Sequence, residues 1–210
     1  MFNKEKKADL NFLSSQPTGI LVFENGLSIS AIGIGHEGHS VGEVCFNTSM
    51  TGYQEIITDP SYSDQIINFI FPHIVNFVTN FEYIESEKVW LKGVIFAKEI
   101  TEPSNYRSFE KLNLWLEKNQ IVGVAGVDTR AITNLIRLKG ALKATIVNGD
   151  ITDTEKYLGD CKNWPGLKGM ELTKKVTTKQ IYDWSDEGLW SKKNGYYKNN
   201  EYKNHVVVLD

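Results

Sequence analysis

A run of small polar side chains follows a predicted strand within residues 42–63, GEVCFNTSMTGYQEIITDPSYS. Five of them lie next to Gly52 and can donate or accept hydrogen bonds: Asn47, Thr48, Ser49, Thr51 and Gln54. Loops after strand ends often bring polar groups and backbone amides to a ligand. The same residue types also cap turns routinely. From the residues alone, turn capping is the favoured interpretation, and ligand binding is the alternative.

The two cysteines, Cys45 and Cys161, are poor candidates for a nucleophile. Cys45 lies inside a predicted strand, where no helix N-terminus follows to lower its pKa and no nucleophile elbow surrounds it. We expect a core thiol at Cys45 and a passive role for Cys161. Because the sequence has no C-x-x-C spacing, neither a disulfide framework nor a zinc site is expected.

The histidines and glycines suggest neither a metal site nor a nucleotide site. His36 and His39 are three residues apart, but flanking glycines indicate a loop, and carboxylate or cysteine partners are missing. The glycines at 33, 35 and 38 match neither the G-x-G-x-x-G nor the P-loop pattern. We therefore predict no catalytic set, no metal and no cofactor in this chain.

Composition predicts a folded protein that binds neither nucleic acid nor membranes. The 210 residues are 41% hydrophobic and 23% charged, with a net charge of -3. Nucleic-acid binders normally carry a basic face, and no apolar run reaches the roughly 18 residues of a membrane span. Residues 1–13 are charged and lack the apolar stretch of a secretory signal, so a cytoplasmic location is expected.

The strand pattern dominates the first half of the chain. Asn25-Gly26 between two apolar runs predicts a β-hairpin over 19–33. Further strands are predicted at 41–46, 65–71, 90–100, 121–127 and 143–147. Residues 52–63 are interpreted as turn-rich, since Asp59-Pro60 marks a turn.

Helices are predicted in the second half. Residues 109–118 carry an apolar stripe that Ser108 can cap. Residues 129–138 carry another, with Asp128 as the cap candidate and Gly140 as the stop. A short helix is predicted at 152–160. Strands followed by alternating helices and strands indicate a small layered α/β domain.

The predicted domain organisation has four parts. Residues 1–16 form a flexible tail, residues 17–150 the α/β domain, and residues 151–205 a linker that is loop-like after Lys192. Residues 206–210, VVVLD, form a short apolar run that ends in aspartate. This run is either a strand added to the existing sheet or the first strand of a further α/β domain.

Several ordered segments are similar to the carbamoyl-phosphate synthase small-chain family. The segment 42–66, GEVCFNTSMTGYQEIITDPSYSDQI, resembles the family's signature. The other similar segments are 71–76 (FPHIVN), 104–108 (SNYRS), 121–130 (IVGVAGVDTR), 139–141 (KGA), 165–170 (PGLKGM) and 175–178 (KVTT). Val75 and Val78 depart from the pattern, because glycines are expected there. The resemblance covers about 19–210.

The resemblance implies a swivelling β/β/α domain, followed by a class I glutamine amidotransferase domain that begins at 206–210 and whose Cys-His-Glu set lies beyond residue 210. It implies a small subunit that hydrolyses glutamine and passes ammonia to a large subunit. There, bicarbonate and two ATP yield carbamoyl phosphate for arginine and pyrimidine biosynthesis. ATP and magnesium are expected on that large subunit, the heterodimer partner.

For this chain, the resemblance implies a docking module with one substrate-binding residue. Ser49 stands at the position of the serine that contacts L-glutamine in the family. The 210 residues alone are expected to be inactive as a glutaminase. Two alternatives from the residues stay open: a stand-alone interaction protein, and a small hydrolase that uses Cys45.

Overall fold

Seven strands form a closed barrel in a computed structural model that describes residues 16–71, 84–86, 88–98, 110–183, 186–191, 195–198 and 204–209. The strands are β1 (Gly19–Phe23), β2 (Ser28–Gly35), β3 (Gly38–Asn47), β4 (Gln65–Phe69), β5 (Gly93–Ile95), β6 (Val122–Ala125) and β7 (Leu142–Asn148). Around the barrel the order is β1-β2-β6-β5-β4-β3-β7, and β7 returns to β1.

The barrel combines parallel and antiparallel pairs. Strands β3, β4, β5 and β6 are mutually parallel, so their carboxyl ends lie at one mouth of the barrel. Strands β1, β2 and β7 pair antiparallel with their neighbours. Gly26, at φ 84°, forms the turn between β1 and β2, and Asn25 Oδ1 accepts from the Leu27 N–H at 3.0 Å. The predicted hairpin is confirmed.

Among the described residues, four helices accompany the barrel: α1 (Tyr53–Thr58), α2 (Leu112–Lys118), α3 (Thr129–Lys139) and α4 (Thr154–Asn163). Inward-facing apolar residues of all seven strands form one core with Ile132 and Ile136 of α3. The predicted cap and stop of α3 are confirmed, because Asp128 accepts from the Ala131 N–H and Gly140 ends the helix. The mixed α/β class is also confirmed.

Two further clusters cover the outer face of the sheet. Residues of α1 and α2, among them Ile57 and Leu116, pack on outward-facing Ile67, Phe69 and Val94. On the opposite side, Tyr157 of α4 packs on the outward face of β1 and β7. Helix α4 therefore belongs to the first compact unit, which ends at Met170.

Some predicted elements were wrong in detail. The turn prediction for 52–63 missed α1 and a 3₁₀ turn, Pro60–Tyr62. Strand β5 covers three residues of the predicted 90–100, and α2 starts at Leu112 instead of 109. The predicted cap Ser108, and Val75 and Val78, lie outside the described residues.

The second compact unit comprises residues 171–210. It contains α5 (Leu172–Val176) and an antiparallel pair, β8 (Asp186–Ser191) and β9 (Gly195–Lys198). Strand β9 corrects the prediction that 192–205 is loop-like throughout. Residues 204–209 are exposed and pair with no described strand, so the run from Val206 is not a strand added to the barrel sheet. Its assignment as the first strand of a further domain stays a prediction.

No helix within the described ranges is both long and apolar enough to cross a bilayer.

Candidate functional site

The polar loop 48–52 emerges from the mouth of the barrel where the parallel strands end. Asn47 is the last residue of β3 and pairs with Phe69, the last residue of β4. The Ile70 N–H donates to the Asn47 carbonyl at 3.1 Å, which extends this pairing. Residues 48–51 are exposed, and Gly52, at φ 79°, turns the chain into α1. Glycine suits that left-handed position because it lacks a Cβ.

Asn47 anchors the start of the loop with both ends of its side-chain amide. Its Nδ2 donates to Tyr62 Oη at 3.0 Å, and its Oδ1 accepts from the Ser49 N–H at 2.8 Å. The second bond is a local turn that asparagine forms readily. The predicted turn-capping role of this segment therefore applies to Asn47.

Ser49 combines a fixed main chain with an exposed side chain. Its N–H is held by Asn47, while the residue lies on the exposed part of the loop. A serine hydroxyl can donate one hydrogen bond and accept others, so it suits either the carboxylate or the ammonium group of an amino acid. Turn capping by Asn47 and ligand binding by Ser49 are thus compatible uses of one loop.

The other polar residues of this segment divide between the loop and the helix. Thr48 and Thr51 are exposed in the loop beside Ser49. Gln54 is 2% exposed within α1, unlike the exposed loop residues with which the sequence pattern groups it. The helix that the sequence missed carries Gln54 into the protein.

Thr58 ties the end of α1 to residues 85–86. Its Oγ1 donates to the Gln54 carbonyl at 2.8 Å and accepts from the Glu85 N–H at 2.9 Å. Its carbonyl accepts from Ser86 Oγ at 2.7 Å, and Trp90 Nε1 donates to that same Ser86 oxygen at 3.0 Å. Sequence reasoning missed this anchor, since a threonine before Asp-Pro gives no signal of a long-range contact.

Neither cysteine has the environment of a nucleophile. Burial raises the pKa of Cys45 to about 12, and its thiol lies 3.7 Å from the Ile66 carbonyl. Burial also raises the pKa of Cys161 to about 11, on the side of α4 that packs on the barrel. Catalytic thiols need a lowered pKa, because the thiolate is the reactive form.

His36 and His39 lie at the opposite end of β3 from Ser49. His39 Nε2 is 3.5 Å from Asp160 Oδ2 of α4, beside an open groove lined by Glu37, Asn148 and Asp150. Among the described residues, no three His, Cys, Asp or Glu side chains are grouped so that they could hold a metal ion.

Comparisons with known proteins point to the same family as the signature segment 42–66. A family model described as "Carbamoyl-phosphate synthase small chain, CPSase domain" matches residues 21–146. The carbamoyl phosphate synthase small chain of Bradyrhizobium diazoefficiens is 45% identical over 202 residues, which cover 93% of this chain and 50% of that protein. The small chain of Bartonella bacilliformis is 47% identical, and the match covers 93% of this chain and 50% of that protein. The small chain of Zymomonas mobilis is 45% identical, and the match covers 90% of this chain and 51% of that protein.

The matched region includes every strand of the barrel in part or whole, together with the loop that carries Ser49. The chain spans about half the length of the curated relatives it matches. It is their N-terminal part that this chain resembles. The chain belongs to the carbamoyl-phosphate synthase small chain family.

Proposed function

We propose that this chain is the N-terminal part of the small subunit of a glutamine-dependent carbamoyl-phosphate synthase, with Ser49 contributing to the L-glutamine site. In this proposal the small subunit releases ammonia from glutamine, and the large subunit combines it with bicarbonate and two ATP. The product, carbamoyl phosphate, serves arginine and pyrimidine biosynthesis in the cytoplasm.

The chain itself acts as a docking module in this proposal. It belongs to the swivelling β/β/α class, packs on the amidotransferase domain that carries the Cys-His-Glu set, and helps to hold the large subunit in a heterodimer. ATP and magnesium bind to the large subunit. The raised pKa values of Cys45 and Cys161 support the assignment of glutamine cleavage to residues beyond 210.

The exposed Ser49 on a loop held by Asn47 carries the proposal. Free glutamine has a carboxylate and an ammonium on one carbon, and a hydroxyl can bond to either. One hydrogen bond to a charged group contributes roughly 1.5–3 kcal/mol. Its loss corresponds to a rise of about 10- to 150-fold in the glutamine KM.

Ser49→Ala in the full-length small subunit, assembled with its large subunit, tests this role. We expect a higher KM for glutamine and unchanged synthesis from ammonia, because ammonia bypasses the glutamine site. Ser61→Ala is the matched control, since Ser61 is exposed in the neighbouring 3₁₀ turn. Equal losses of glutamine-dependent and ammonia-dependent synthesis would contradict the assignment.

Three measurements separate this proposal from its rivals. The purified 210-residue protein should show no glutaminase activity, and a measurable rate free of contaminants would contradict the docking role. Rapid labelling of Cys45 in the folded protein would favour a small hydrolase instead. An open reading frame that stops at Asp210 would favour a stand-alone interaction protein.

A further inference from the structure

We propose that Asn47 is a positioning residue for glutamine binding, through the hydrogen bond that its side chain accepts from the Ser49 N–H. This inference rests on the proposed function, because it takes Ser49 as the residue that contacts glutamine. The inference adds that Tyr62 helps to fix the position of Ser49, because Tyr62 Oη accepts a hydrogen bond from the Asn47 side-chain amide.

The two bonds fix the orientation of the Asn47 amide. A backbone N–H can only donate, so the atom 2.8 Å from the Ser49 nitrogen must be the amide oxygen. The amide NH₂ then faces Tyr62 Oη at 3.0 Å, and a phenol oxygen can accept. A flipped amide would bring two donors together at the Ser49 N–H, so the side chain has one fitting orientation.

Asn47 is itself held on two sides. Its carbonyl accepts from the Ile70 N–H at 3.1 Å, which ties it to the end of β4. Tyr62, whose hydroxyl accepts the hydrogen bond from Asn47 Nδ2, packs against the outer apolar cluster that includes Phe69.

Tyr62 also has a defined main-chain position. Its N–H donates to the Asp59 carbonyl at 3.2 Å, and the Asp59 carboxylate accepts from the Ser61 N–H at 2.8 Å. Pro60 fixes φ in the same turn. Asn47 therefore connects a rigid turn and a barrel strand to the exposed Ser49.

The loop has little else to hold it. Residues 48–51 are exposed, and the bond from the Ser49 N–H is the one hydrogen bond described for these four residues. Without it, Ser49 would sample several positions, and glutamine binding would have to order the loop first. The expected defect is in the KM for glutamine, with the synthesis from ammonia unaffected.

Three variants of the full-length small subunit, assembled with the large subunit, separate the two bonds. Asn47→Ala removes both, and we expect the glutamine KM to rise about five- to tenfold. Asn47→Asp keeps an acceptor for the Ser49 N–H, and Tyr62 can rotate its O–H to donate to the carboxylate; we expect a KM within about twofold of wild type. Tyr62→Phe removes one bond and should lie between them.

Asn148→Ala is the matched control for a structural asparagine at a strand end. Asn148 ends β7 at the opposite end of the barrel, and its Nδ2 donates to the carbonyls of Ile34, Gly35 and His36 at 3.1–3.2 Å. This variant should lower the melting temperature while the glutamine KM stays unchanged. Melting temperatures of all variants are measured alongside the kinetics.

The outcomes distinguish the two proposals. If Ser49→Ala raises the glutamine KM and Asn47→Ala does not, the positioning role of Asn47 is wrong and the proposed function stands. If Ser49→Ala leaves the KM unchanged, the proposed function fails and the positioning role fails with it. If Asn47→Ala lowers glutamine-dependent and ammonia-dependent synthesis equally, or if Asn47→Asp restores nothing, Asn47 has no positioning role.

Discussion

Asn68 of β4 donates from Nδ2 to Thr133 Oγ1 of α3 at 3.0 Å, and to the Thr129 carbonyl at 2.9 Å. The residue is fully buried, so these bonds join the sheet to the helix inside the core. Its Oδ1 is buried with no hydrogen-bond partner within the described ranges. A polar contact therefore sets where α3 lies in an otherwise apolar interior.

Asn68→Ala should lower the free energy of unfolding by about 2–3 kcal/mol, since two buried hydrogen bonds are lost and a small cavity is left. Urea denaturation followed by circular dichroism measures the change. Asn134→Ala is the control, because Asn134 is exposed on the same helix. A change below about 0.5 kcal/mol for Asn68→Ala would show that this link contributes little.

Two glycine-to-alanine variants should have opposite effects on stability. A Cβ on Gly93 would lie 2.9 Å from both Ile146 Cγ2 and the Val122 carbonyl, inside the barrel. Gly159 lies in α4 with nothing within 4 Å of that position. We expect Gly93→Ala to destabilise by about 1–3 kcal/mol and Gly159→Ala to stabilise by up to about 1 kcal/mol.

Thermal unfolding of the two variants tests this contrast. The steric account of Gly93 would be refuted by equal melting temperatures for wild type and Gly93→Ala. A lower melting temperature for Gly159→Ala would instead point to a contact of Gly159 that the described residues do not show.

Asp128→Ala should cost about 1 kcal/mol of stability, because the Asp128 side chain accepts from the Ala131 N–H at 2.9 Å at the start of α3. Asp128→Asn is the control, since asparagine is an equally good N-cap and keeps the acceptor oxygen. Denaturant titrations of both variants give the comparison. Equal losses in the two variants would mean that the charge of Asp128, and not its capping bond, stabilises the protein.

Stability should fall as the pH rises above about 9, in part through Cys45. The folded protein holds the pKa of Cys45 at about 12, against 9.0 for an ordinary thiol. The unfolded chain therefore releases this proton first, so the contribution of Cys45 is complete below pH 9 and is lost towards pH 12. Cys161, with a pKa of about 11, adds a smaller effect of the same sign.

The comparison of wild type with Cys45→Ala isolates this effect. We expect the variant to lose less stability between pH 8 and about 11 than wild type, whatever its stability at pH 8. Denaturant midpoints across this pH range are the measurement, and Cys161→Ala serves as a second, weaker case. Parallel pH profiles for wild type and Cys45→Ala would contradict the structure, because they would mean that burial does not raise the pKa of the Cys45 thiol.

Short sequence patterns were sufficient to predict those turns and helix ends whose structure depends on neighbouring residues alone. Asn25-Gly26 predicted the hairpin, because glycine tolerates the positive φ of that turn. Asp128 and Gly140 predicted both ends of α3. The helix α1 was missed because it has six residues, three of them β-branched, between Gly52 and Asp59-Pro60. Its stability comes from the packing of Tyr53 and Ile57 on the sheet.

Long-range pairing was beyond prediction from one sequence. Nothing in residues 38–47 shows that β3 pairs with β7 on one side and with β4 on the other. For the site, the sequence predicted polar residues after a strand and, through the family resemblance, a glutamine contact at Ser49. The hydrogen bond from Asn47 to Tyr62 joins residues that are 15 positions apart, and neither residue type predicts that the two side chains meet.

Closure of the barrel has a consequence for synthesis of the protein on the ribosome. Gly19 pairs with Asn148, and Phe23 with Ala144, so the first strand cannot complete its contacts until the seventh has emerged. At typical elongation rates this delay is on the order of ten seconds. During that time the hairpin of β1 and β2 has an unpaired strand edge. Such an edge can pair with other chains and aggregate unless a chaperone binds it. Variants that weaken β7 should therefore reduce soluble yield more than their equilibrium stability suggests.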